Sequence, residues 1–132
     1  MLKGIYILSK ESYDQIYGPE ERNDIAKLAD IYAPVQAGDV AKKQPGILKD
    51  ADIILSGWGG PKLDGAFLSA APNLKAFFYG AGSVRGLVTP EMWDRGIVMM
   101  SAWAANAVPV AEYTLAQILF CLKQGWYHAT EI

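Results

Sequence analysis

Short, β-rich apolar runs recur along the chain at Gly4 to Leu8, Ala29 to Tyr32, Asp52 to Leu55, Leu74 to Tyr79 and Ile97 to Met100, with room for a helix between each pair. A chain that alternates in this way carries each crossover over the face of a sheet, which makes the strands parallel and the class α/β. Ile53-Ile54-Leu55 and Ala76-Phe77-Phe78-Tyr79 are apolar without alternation, as strands covered by helices on both faces should be. The pattern therefore predicts a five-stranded parallel sheet between two helical layers. With 132 residues, 52% of them hydrophobic and 20% charged, the chain supplies one compact domain with a single core.

The intervening helices are short: Glu20 to Leu28, Gly46 to Lys49, Leu63 to Ala70 and Pro90 to Asp94 lie between turn residues. Thr89 is a good N-cap with Pro90 at the first helical position, and Gly96 is a plausible stop before the fifth strand. The last helix is the best defined, with Pro109 and Glu112 at its start and Lys123 and Gly125 at its end. Ala111, Leu115, Ile118, Leu119 and Leu122 form one stripe at helical spacing, yet Val110, Tyr113, Phe120 and Cys121 add apolar atoms on the other faces. Such a helix is either a central core helix or one that lies between this domain and another domain or subunit, and the second reading is preferred. It divides the chain into a domain over residues 1–108 and a helix and tail over 109–132, with a homodimer formed through Pro109 to Gln124.

Composition excludes some partners. The formal charge of -2 comes from 12 basic and 14 acidic residues scattered without long runs, which gives no footprint for nucleic acid or anionic lipid. The apolar stretch Val108 to Leu122 is interrupted by Glu112, Thr114 and Gln117 and falls short of the ~20 residues that a membrane span needs, so no membrane partner is expected. A lone cysteine, Cys121, and a start, MLKGIYILSKE, with too short an apolar run for a signal peptide point to the cytoplasm. No metal site is expected.

Two glycine-rich turns carry the chemistry. The third strand runs into Ser56-Gly57-Trp58-Gly59-Gly60-Pro61 and the fourth into Gly80-Ala81-Gly82-Ser83-Val84-Arg85-Gly86. Both fall at carboxyl ends of strands, the edge of an open α/β sheet where ligands bind. Glycines let backbone N–H groups approach a small anion, and a carboxylate held by two or three amides needs no charged side chain. The plainer alternative is that both are tight turns and nothing more. Gly80-x-Gly82-x-x-x-Gly86 has one residue too many for a dinucleotide fingerprint, and the fifth strand ends in Ser101-Ala102 rather than in the acidic residue that would take a ribose hydroxyl.

Pro72-Asn73-Leu74-Lys75, Gly80-Ala81-Gly82, Arg95-Gly96-Ile97-Val98 and Asn106-x-x-x-Val110-Ala111-Glu112 resemble, in order and spacing, the D-isomer-specific 2-hydroxyacid dehydrogenases over roughly residues 50 to 123. The resemblance implies a flavodoxin-like, doubly wound substrate domain of three layers, with a separate Rossmann domain that binds NAD or NADP, in an enzyme that usually dimerises. It implies that the backbone at Ala81 and Gly82 binds the carboxylate of a small 2-oxo or 2-hydroxy acid and that the loop Trp58, Gly59 and Gly60 closes over it. The formate dehydrogenase branch of the family gives Asn106 a substrate-binding role, although an asparagine there could equally cap the helix.

Two departures qualify the resemblance. The family usually has an aspartate where this chain has Val84, followed by Arg85, which could offer a cation to an acidic substrate or simply be solvated. The family's catalytic arginine, glutamate and histidine, and its nucleotide fingerprint, lie downstream of the matched region. His128 does not match the catalytic position and reads as a solvated terminus. The chain is thus expected to be the substrate-binding part of such an enzyme, truncated before the coenzyme domain, with no catalytic residue and no cofactor of its own. The alternative is a stand-alone α/β small-anion binding or regulatory module.

Overall fold

A computed structural model of the chain describes residues 1–131, which divide into two compact units, one over Met1–Ala102 and one from Trp103 onward. The first unit holds all five strands: β1 (Leu2–Ile7), β2 (Ala29–Ile31), β3 (Ile53–Ser56), β4 (Ala76–Tyr79) and β5 (Val98–Ser101). They pair in parallel in the order β2-β1-β3-β4-β5, the doubly wound order of flavodoxin-like folds. Each strand lies within two residues of the run that predicts it.

Helices α1 (Lys10–Ile16) and α2 (Pro19–Leu28) connect β1 to β2; α3 (Val40–Lys43) and a 3-10 turn at Pro45–Leu48 lead to β3. Helices α4 (Gly65–Ala70) and α5 (Pro90–Asp94) complete the crossovers to β4 and β5. Alternation along the strands sends Ile5, Ile7, Ile54 and Phe77 to one face, where Val40, Phe67, Leu68 and Met92 from α3, α4 and α5 complete the larger core. Tyr6, Leu8, Ile53 and Leu55 point to the other face and pack with Tyr13, Ile16 and Ile25 from α1 and α2 and with Tyr17 between the two helices. Helices thus lie on both faces of the sheet, in three layers.

Thr89 caps α5 as the sequence predicts: its hydroxyl accepts from the Met92 N–H (3.3 Å) and donates to the Leu63 carbonyl (2.6 Å). Gly96 adopts a left-handed φ of 66° behind that helix, a conformation open to glycine without strain.

The structure departs from expectation in three places. Helix α1 is not among the helices that the sequence predicts: Ser9 is its N-cap and accepts from the Ser12 N–H at 3.2 Å, while Tyr13 and Ile16 supply the apolar face. Coverage of the sheet is less complete than continuous apolarity suggests. All of β3 is buried, but Ala76 and Phe78 of β4 are half-buried, and Val98 and Met100 of β5 are 57% and 54% exposed. Finally, α6 spans Trp103–Leu122, so Pro109 lies inside it and the division expected after residue 108 falls within the helix. Trp103-Ala104-Ala105-Asn106-Ala107-Val108 is rich in alanine, the best helix former, and an interior proline costs the helix one N–H donor without ending it.

In the second unit α6 is followed by α7 (Gly125–Thr130). Gln124 between them takes a left-handed φ of 53°, and the rings of Phe120 and Trp126 meet edge to face at 5.0 Å. A Cβ on Gly125 would stand 2.5 Å from the Phe120 ring, so a larger residue there would force that ring to shift. At 20 residues α6 is long and apolar enough to cross a membrane by length and composition, more than the segment from Val108 suggests.

Candidate functional site

In the order β2-β1-β3-β4-β5 the chain leaves β1 toward one edge of the sheet and leaves β3 toward the other, so the connections diverge between β1 and β3. Such a point opens a crevice at the carboxyl ends of the strands. Ser9, following β1, donates its N–H to the Trp58 carbonyl at 3.0 Å, which seats the turn Trp58 to Gly60 on the divergence point. Gly59 has a φ of 77°, and a Cβ there would lie 3.0 Å from Ser9. Gly60 is more tightly confined: a Cβ would fall 2.3 Å from Ser56 Oγ, which donates to the Ile7 carbonyl at 2.6 Å and cannot move without losing that buried bond. Glycine is therefore required here by packing as well as by conformation.

The Gly60 N–H is spent on the Gly57 carbonyl (3.0 Å), whereas the N–H groups of Trp58 and Gly59 have no acceptor among the described residues. Trp58 is 48% exposed beside them. Gly59 and Gly60 line a cleft of about 490 Å³ whose other walls include Gly38, Lys42, Lys43, Lys62, Asp39 and Asp64. Asp39 pairs with Lys43 at 2.7 Å, and that hydrogen bond holds its carboxyl below the ordinary range. Asp64 accepts from the Phe67 N–H at 3.0 Å as the N-cap of α4. With both carboxylates engaged, Lys42 and Lys62, which form no ion pair among the described residues, leave the cleft weakly positive.

The second turn starts beside the first, since Ser56 and Tyr79 are register partners and the Gly80 N–H donates to the Ser56 carbonyl at 2.8 Å. Tyr17 Oη donates to the same carbonyl at 2.8 Å, and burial pushes its phenol well above the ordinary range. Ala81 has no exposed surface and Gly82 is half-buried, so Gly82 is the member of that pair that borders solvent. Val84 packs against the larger core, and its carbonyl accepts from Leu87 and Val88 at 2.9 and 3.2 Å. An apolar anchor thus holds the turn where the resembled family has an aspartate, and Arg85 is exposed beside it.

These residues do not fit a dinucleotide. No helix opens at Gly86, the next one begins at Pro90 and has five residues, and β5 ends at Ser101 without a carboxylate. Asn106 and His128 belong to the second unit. Asn106 lies inside the first turns of α6 rather than at its cap, and His128 packs edge-on against Tyr127 at 5.4 Å.

The first unit has no histidine, and desolvation pushes the buried phenol of Tyr6 and the half-buried one of Tyr32 up to about 12. Backbone amides and lysines there can hold and orient a small anion. Sequence reasoning missed Lys42, Lys43, Lys62 and Gly38; the signal available was that in a parallel sheet the loop after β2 reaches the same edge as the glycine turns. No known protein-family model matches this chain, and no curated protein matches it.

Proposed function

We propose that the chain is the substrate-binding part of a NAD(P)-dependent oxidoreductase acting on the CH–OH group of a D-2-hydroxy acid, and that it holds the acid's carboxylate on the backbone of its two glycine turns. The observation that carries this reading is the pair of turns starting side by side at Gly57 and Gly80, on the adjacent strands β3 and β4, with the first of them at the divergence of the connections. Free N–H groups at Trp58 and Gly59 would bind the carboxylate, Gly82 would border it, and the Trp58 ring would shield it from water.

Reduction of a 2-oxo acid also needs a nicotinamide held against the substrate carbon and an acid near neutral pKa to deliver a proton. The first unit provides neither, so the reading assigns it binding and orientation, with hydride transfer dependent on a coenzyme domain.

A second reading, a stand-alone α/β module that binds small anions, is favoured by the lysines of the cleft. Titration calorimetry with glyoxylate, pyruvate and inorganic phosphate separates the two. The dehydrogenase reading expects the 2-oxo acids to bind and phosphate not to displace them; binding of phosphate alone would support the module. NADH mixed with the same acids and this chain should show no sustained loss of absorbance.

A further inference from the structure

The cleft beside the first turn has more room and more positive charge than a three-carbon 2-oxo acid can use. Gly38 fixes one wall: a Cβ there would clash with the Gly59 carbonyl oxygen, a backbone atom, so the loop after β2 lies directly against the turn only because it carries no side chain at that point. Helix α3 begins two residues later at Val40 and brings Lys42 to the cleft. Another wall is fixed around Lys62, whose neighbours Pro61 and Leu63 are buried and whose following N–H, that of Leu63, donates to the Leu87 carbonyl at 2.8 Å. Three lysines and two aspartates line the cleft, which leaves an excess of one positive charge. Because Lys43 is paired with Asp39 and Asp64 caps α4, that excess resides on Lys42 and Lys62, both exposed.

We propose that the 2-oxo acid held by this protein is a dicarboxylic one, whose second carboxylate lies in the cleft and is drawn there by Lys42 and Lys62. This rests on the reading of the glycine turns as the seat of the first carboxylate. Gly59 joins the two ends, since its free N–H belongs to that seat and its backbone lines the cleft. A three-carbon acid on the turn would leave most of the 490 Å³ to water, whereas a longer chain directed past Gly59 and Gly60 reaches the lysines. Charge selects the chemistry of the far end. One carboxylate neutralises the excess of one positive charge, while a phosphate ester, with about two negative charges, would reverse it. A lysine ammonium acts as a point charge on a flexible stem and imposes no planar geometry on its partner. Exposure of both lysines keeps the attraction modest and makes it fall with salt.

Calorimetric titration of the whole chain at low ionic strength tests this with 2-oxoglutarate and with 2-oxopentanoate, which has the same chain length and no second carboxylate. The dicarboxylate should bind about tenfold more tightly, and Lys42→Gln and Lys62→Gln should each weaken it by about two- to fivefold. The double variant should bring 2-oxoglutarate to the level of 2-oxopentanoate, whose own affinity should not change. Lys49→Gln, which removes an exposed lysine outside the cleft, should alter neither. Equal affinity for the two acids, a preference that survives the double variant, or an equal loss in Lys49→Gln would overturn the proposal and leave the reading of the turns standing. Failure of both acids to bind would overturn the two together.

Discussion

The two faces of the sheet carry similar residues and meet different fates. On one, Ile5, Ile7, Ile54 and Phe77 have no exposed surface under α3, α4 and α5. On the other, Tyr6, Leu8 and Leu55 are buried, and burial fades across β4 to β5, where Val98 and Met100 stand more than half exposed. Apolar sequence alone does not bury a strand; it has to be met by a helix that the connections can deliver. The closed face sets the stability of the first unit, and the open face contributes less to it.

The largest effect expected from this contrast is at Phe77. Phe77→Ala should destabilise by about 3–5 kcal/mol in urea unfolding, because a fully enclosed ring leaves a cavity, whereas Met100→Ala on the open face should change monomer stability by less than about 0.5 kcal/mol. Equal losses at the two sites would erase the distinction between faces. Tyr17→Phe should cost about 1 kcal/mol, since it removes a buried hydrogen bond to the Ser56 carbonyl while the Gly80 N–H still satisfies that acceptor.

The smallest effect lies at the amino-terminal edge of the sheet. Asp52 accepts from Lys75 Nζ at 2.7 Å and from the Lys3 N–H at 2.9 Å, and these bonds, that to Lys75 foremost, lower its pKa. A lowered carboxyl pKa contributes stability that is present above the unfolded value near ~4 and lost as pH falls through the folded one. Asp52→Asn should therefore cost about 0.5 kcal/mol or less at pH 7, discounted for exposure, and should flatten the loss of urea midpoint on acidification. An unchanged acid profile in the variant would remove Asp52 from the account.

Five strands, their parallel pairing and the cap at Thr89 were legible because each is a local signal: a run of apolar residues, an interval long enough for a crossover, a hydroxyl before a proline. Helix α1 was hidden because Ser9-Lys10-Glu11-Ser12 looks polar until Tyr13 and Ile16 are counted onto the same face. The start of α6 was misread for the opposite reason, since Pro109 is a strong local mark that an alanine-rich run overrides. Both glycine turns were visible in sequence, but the lysines facing Gly59 and Gly60 come from residues 42, 43 and 62 and meet only when β2 and β3 are set on either side of β1. Nor could sequence show that Ala81 is enclosed while Gly82 borders solvent.

The central functional claim is that a 2-oxo acid binds on the backbone of the two turns. The measurement that tests it most directly is a ¹⁵N–¹H titration of the chain with glyoxylate or pyruvate, followed at Trp58, Gly59 and Gly82. The account predicts saturable shifts of these amides together, with the same apparent affinity, and smaller changes elsewhere. Shifts confined to the neighbourhood of Lys42 and Lys62, or none up to tens of millimolar acid, would contradict it.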